Sequence, residues 1–186
     1  AADVAAALAV IAAYASNSDT NPAGANPAPT EAQYATAGIT GVTAANLADV
    51  NAAVDAAVGA DADEVSEVQA LVNTEVAADI AEALAVITAY ASNSDTNPAG
   101  TNPAPTEAQY ATAGVTGVNA ANLADVNAAV DAVAGTAADE TSEVQALVDA
   151  EVAADDALAV IAAYASTSDT NPVGTNPAPT PAQYAS

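Results

Sequence analysis

Residues 1–76 align without a gap to residues 77–152, with 63 identities in the 76 positions. A third copy begins at Ala153, lacks two residues near Asp155 and Asp156, and runs to Ser186. Self-similarity at a long fixed period signals an array in which each unit leans on or links to the next. The expected organisation is therefore repeat 1 over 1–76, repeat 2 over 77–152 and a partial repeat 3 over 153–186.

Periodicity inside one repeat is helical. Val68, Leu71, Val72, Val76, Ile80, Leu84 and Ile87 follow in steps of three and four, keeping one apolar face, and no Gly or Pro interrupts them. The pattern predicts one helix over about 63–91, roughly 43 Å long at 1.5 Å per residue, and its counterpart over about 139–165. Both cross a repeat boundary. Asp63 and Glu64 stand at the first helix's start, where carboxylates suit the positive end of the helix dipole.

A second helix is expected from an N-cap at Thr43, through Leu47, Val50 and Val54, to Gly59. A shorter one begins at Thr30 and stops at Gly38. Pro22, Gly24, Pro27 and Pro29 exclude a helix between them and read as a loop. The fold class expected is all-α: tandem three-helix-bundle repeats linked by long helices shared across the repeat boundaries. Each core is thin, because most of the apolar residues are Ala, which buries little area but favours helices and lets them approach closely.

The chain has no Lys, Arg, His, Cys, Met, Phe or Trp, and a net charge of -24. Such a chain repels phosphate and anionic lipid, so neither nucleic acid nor a membrane surface is an expected partner, and no segment is apolar enough to insert in a bilayer. Without His, Cys or Lys there is no ordinary general base near neutral pH, no thiolate and no Schiff base. The expectation is that the chain is not an enzyme and carries no cofactor. A chain without Lys or Arg also offers trypsin no cleavage site, which suits a protein outside the cell.

Ser-Asn-Ser-Asp-Thr-Asn-Pro-Ala-Gly occurs at 16–24 and 92–100, with a variant at 166–174. Asn17, Asp19 and Asn21, Asn93, Asp95 and Asn97, and Asp169 and Asn171 alternate as the first oxygen ligands of a calcium loop do. The twelfth position counted from Asn17 is Ala28, where an EF-hand requires Glu, and each loop has one carboxylate. Asx-turns that tie down the loop fit the pattern better than calcium binding. Tyr14 with Tyr34, Tyr90 with Tyr110, and Tyr164 with Tyr184 bracket the proline loops, and both rings of a pair are expected to clamp Pro22, Pro27 or Pro29.

The two-residue deletion in the third copy turns the apolar seam by roughly 200° between Val152 and Leu158 at about 100° per residue. A kink or a rotated third unit is expected near Asp155 and Asp156. Leu158, Ile161, Tyr164 and Tyr184 then become candidate assembly residues, covered by another copy docking head to tail or by a longer parent chain. The uniform acidic surface means that divalent cations or salt would favour such association.

Ala-Gly-Ile-Thr-Gly-Val-Thr-Ala-Ala-Asn-Leu-Ala-Asp-Val-Asn-Ala-Ala-Val at 37–54, with Asn-Pro-Ala-Pro-Thr-Glu-Ala-Gln-Tyr at 26–34 and Ser-Glu-Val-Gln-Ala-Leu-Val at 66–72, resembles helical tandem repeats of very large surface proteins of marine bacteria. The resemblance implies an adhesin or fibre stalk and covers essentially the whole chain. The same order of helices is distantly similar to three-helix albumin-binding modules, whose basic residues are absent here, so albumin binding is not implied. The expected function is a structural segment of an extracellular filament or adhesin stalk. The alternative is a surface module that presents its Asp/Asn-rich loops to calcium or a host ligand.

Overall fold

The structure, a computed structural model, describes residues 2–15, 26–57, 61–91, 102–166 and 178–185. Among these residues the chain is all-α, with no strand. The helices are α1 (Ala2–Ala15), α2 (Glu31–Ala37), α3 (Leu47–Ala56), α4 (Val65–Ala91), α5 (Glu107–Thr112), α6 (Leu123–Asp131) and α7 (Thr141–Ser166), with a 3-10 turn at Gly135–Ala137. The chain divides into two compact units, Ala1–Asp79 and Ile80–Ser186.

Local chemistry explains where the short helices start and stop. Thr30 opens α2 with a capping box: its amide donates to Gln33 Oε1 at 2.8 Å, and the Gln33 amide donates back to Thr30 Oγ1 at 3.4 Å. Gly38 closes α2 at φ +87°, a left-handed conformation in which a side chain would be strained. The Ile39 amide then donates to the Tyr34 carbonyl at 3.0 Å and the Gly38 amide to the Ala35 carbonyl at 3.1 Å, the paired bonds of a Schellman ending.

Helix α3 starts three residues later than expected. Thr43 is not its N-cap: the Thr43 hydroxyl and amide both donate to Asn46 Oδ1, at 3.3 and 2.8 Å, while Asn46 Nδ2 donates to the Gly41 carbonyl at 2.9 Å. The hydroxyl is thus spent on the Asn46 side chain, residues 44–46 form a turn, and the helix begins at Leu47. Helix α3 ends at Ala56, and Gly59 lies outside the described residues.

Helix α4 is continuous over 27 residues and passes through the repeat boundary, as the apolar period requires. Its start is held by Glu67, whose carboxylate accepts from the amides of Asp63 and Glu64 at 3.3 and 3.1 Å. Glu143 does the same for Asp139 and Glu140 at the start of α7, which spans 26 residues. Both helices begin two residues after the expected positions, because these acidic residues serve as the N-terminal lead-in.

The core of the first unit joins α1, α2, α3 and the first half of α4. Ile11, Tyr34, Val50, Val54, Val68 and Val72 are its largest fully buried side chains. The second unit's core repeats them at the same repeat positions: Ile87, Tyr110, Val126, Val130, Val144 and Val148. Each core therefore draws on four helical segments: α1, α2, α3 and the first half of α4 in the first unit, and the second half of α4, α5, α6 and the first half of α7 in the second. Burying a Val or Ile fully is worth about 1.5–3 kcal/mol, so four Val and one Ile make a small core, and the remaining positions are closed by Ala.

In the second unit α7 continues without a break through Asp155 and Asp156 into the third copy. The deletion is absorbed by a change of buried side and not by an end to the helix. Val148 and Ala157 are both buried, yet nine residues at about 100° each place them on nearly opposite sides of α7.

Candidate functional site

The two tyrosines of a pair have different tasks. Tyr34 is fully buried, and its hydroxyl donates to Asn51 Oδ1 at 2.8 Å; Asn51 Nδ2 donates in turn to the Pro29 carbonyl at 3.0 Å. Tyr110, Asn127 and Pro105 repeat the arrangement at 2.8 and 3.0 Å. The proline loop is thus fastened through an asparagine on α3 or α6. Tyr14 and Tyr90 are half-buried at the edges of the two cores. Of the three expected proline contacts, Pro29 is buried, Pro27 is exposed and Pro22 lies outside the described residues.

Burial pushes the Tyr34 and Tyr110 phenols well above their ordinary value, with a smaller push from the neighbouring Tyr14 and Tyr90. Tyr14 and Tyr90 are also raised, first by burial and then by the carboxylates of Asp55 and Asp131. These shifts keep the phenols neutral. They give no acid or base of use near neutral pH.

Sequence reading missed Asn51 and Asn127. Each is buried between two buried Val residues on the apolar side of its helix, Val50 and Val54 in one unit and Val126 and Val130 in the other. An amide recurring among core positions of a helix was the available signal, since such a group must find partners when buried. Gln69 and Gln145 were missed too. Gln69 accepts from the Thr40 amide and donates to the Thr40 carbonyl, both at 2.9 Å, and Gln145 treats Thr116 alike at 2.8 and 3.0 Å. Among the described residues no buried side-chain polar atom lacks a partner.

The expected calcium ligands Asn17, Asp19, Asn21, Asn93, Asp95, Asn97, Asp169 and Asn171 all lie outside the described residues. Among the described residues no three carboxylates converge on a point where they could share a metal ion. No described helix is long and apolar enough to cross a membrane. A cleft of about 320 Å³ in the first unit is lined by Ala9, Val10, Ala13, Asn26, Pro27 and Gln33. Among the described residues that line it, Asn26 and Gln33 carry amide side chains and the rest are apolar.

Of the candidate assembly residues, Leu158, Ile161 and Tyr164 stand on α7 and Tyr184 follows in residues 178–185. Leu158 and Tyr184 are each 63% exposed, Tyr164 is 38% exposed, and Ile161 is half-buried. Comparison with protein-family models, with known proteins and with solved structures found no match for this chain.

Proposed function

We propose that the chain is a structural segment of an extracellular filament or adhesin stalk, with no catalytic role. The observation that carries this reading is the position-by-position reuse of one small core in two units, with a single helix passing from the first set of core residues to the second. The polar side chains described above serve caps, loop fasteners and core, and the chain has no Lys or Arg to offset its acidic residues. In this reading each unit is two short helices and a long one that hands the chain on, a three-helix element whose fourth side comes from the preceding long helix. Extracellular placement is supported by the absence of Lys and Arg, and by the resemblance of residues 26–72 to repeats of bacterial surface proteins.

Self-association is part of the proposal, helped by salt or divalent cations that screen the charge of -24. A calcium titration followed by thermal unfolding separates a spacer from a binding module. A spacer should show the same small, non-saturating rise with calcium as with an equal ionic strength of magnesium. A saturable rise specific to calcium, lost on replacing Asp19 and Asp95 with Ala, would assign the loops to ion binding instead.

A further inference from the structure

Helix α4 serves both cores, and its middle serves neither. Val68 and Val72 are buried in the first core, with Val76 packed against it, while Ala83, Ile87 and Ala91 are buried in the second, with Leu84 packed against it. No residue from 73 to 82 is buried, and residues 77–82 belong to neither apolar core. The boundary between the two compact units falls inside that stretch, between Asp79 and Ile80.

A stretch so short is not helical on its own. The first turn of a helix fixes several residues for one hydrogen bond, and isolated helices shorter than about 12 residues are marginal in water. Residues 77–82 are helical because α4 is already formed on either side of them, held by Val72 and Val76 before and by Ala83 and Ile87 after. When either unit opens, one of those supports is lost and the linking turns lose their template. The same stretch carries charge with no counter-charge. Glu75, Asp79 and Glu82 stand four and then three residues apart, the spacing of neighbours on one face of a helix, and the chain has no Lys or Arg to place beside them. Like charges at these spacings weaken a helix, and salt relieves the repulsion.

We propose that residues 75–82 of α4 are a salt-tuned coupler of stability: they stay helical only while both units are folded, so each unit stabilises the other, and screening of Glu75, Asp79 and Glu82 sets how strongly. The coupler needs no bound ion, because ionic strength alone reduces the repulsion. The inference goes beyond the stalk reading and does not rest on it, since the coupling belongs to the single chain.

The test is amide hydrogen exchange in the full 186-residue chain, read at Val54 in α3 and Val130 in α6, which are fully buried, one in each core. Ala77 and Ala78 are exposed and lie in the first unit. Ala77→Gly with Ala78→Gly should speed exchange about tenfold to thirtyfold at Val54, and by the same factor at Val130, through the helix cost of two glycines. Glu75→Gln with Asp79→Asn and Glu82→Gln should slow exchange at both amides about twofold to fivefold at about 0.02 M NaCl, with the gain gone by about 0.5 M. A glycine effect confined to Val54, or absent from both amides, would overturn the coupling. A charge effect confined to Val54, or equally large at the higher salt, would overturn its tuning by salt.

Discussion

The Tyr34 hydroxyl and the Asn51 side chain meet at 2.8 Å inside the first unit, and Tyr110 meets Asn127 at the same distance inside the second. Removing the hydroxyl leaves a buried amide oxygen without a donor, and such an orphan costs about 1–3 kcal/mol. Tyr34→Phe and Tyr110→Phe should each lower stability by that amount in denaturant unfolding. Asn51→Ala should cost more, because it strands both the phenol and the Pro29 carbonyl.

The same phenols make the fold sensitive to alkali. Their folded pKa values are raised above the unfolded value of about 10, so the folded chain keeps protons that the unfolded chain releases. Stability is then fully present below about pH 10 and falls as pH rises beyond it, by up to about 1.4 kcal/mol per unit for each buried tyrosine. Thermal unfolding between pH 8 and 12 should show this decline, and the double Tyr34→Phe, Tyr110→Phe chain should show a shallower one.

Ile87 is fully buried and Leu84 is half-buried on the second half of α4. Ile87→Ala should cost about 2–5 kcal/mol, the usual range for emptying a buried aliphatic site. Leu84→Ala should cost about 1–2 kcal/mol, since part of that side chain already meets water. Equal losses at the two positions in chemical denaturation would show that the second core is drawn incorrectly.

Gly38 offers a cleaner test of backbone strain, because a methyl group there would touch nothing within 4 Å while φ stays at +87°. Gly38→Ala should therefore destabilise by about 1–2 kcal/mol through the left-handed conformation alone. Urea unfolding that finds no loss would mean that the helix ending relaxes into another turn.

Much of the architecture is legible because Ala-rich segments with an apolar step of three and four have few alternatives to a helix, and the capping box at Thr30 and Gly38 bound α2 unambiguously. The start of α3 was not legible. Thr43 and Asn46 are both good caps by residue type, and only the Gly41 carbonyl held by the Asn46 amide decides between them. The pairing of Tyr34 with Asn51, 17 residues apart, was hidden for a related reason: composition shows that a buried amide needs a partner but not which one the packing delivers. The loops holding Asp19 and Asp95 fall outside the described residues and contribute nothing to that comparison.

The central claim, that the chain is a repeating segment of an extracellular filament or stalk, is tested most directly by immunogold electron microscopy of native cells with antibodies raised against residues 1–186. The account predicts label outside the cell, distributed along filaments or stalks. Label confined to the cell interior, or on isolated particles with no linear order, would contradict it.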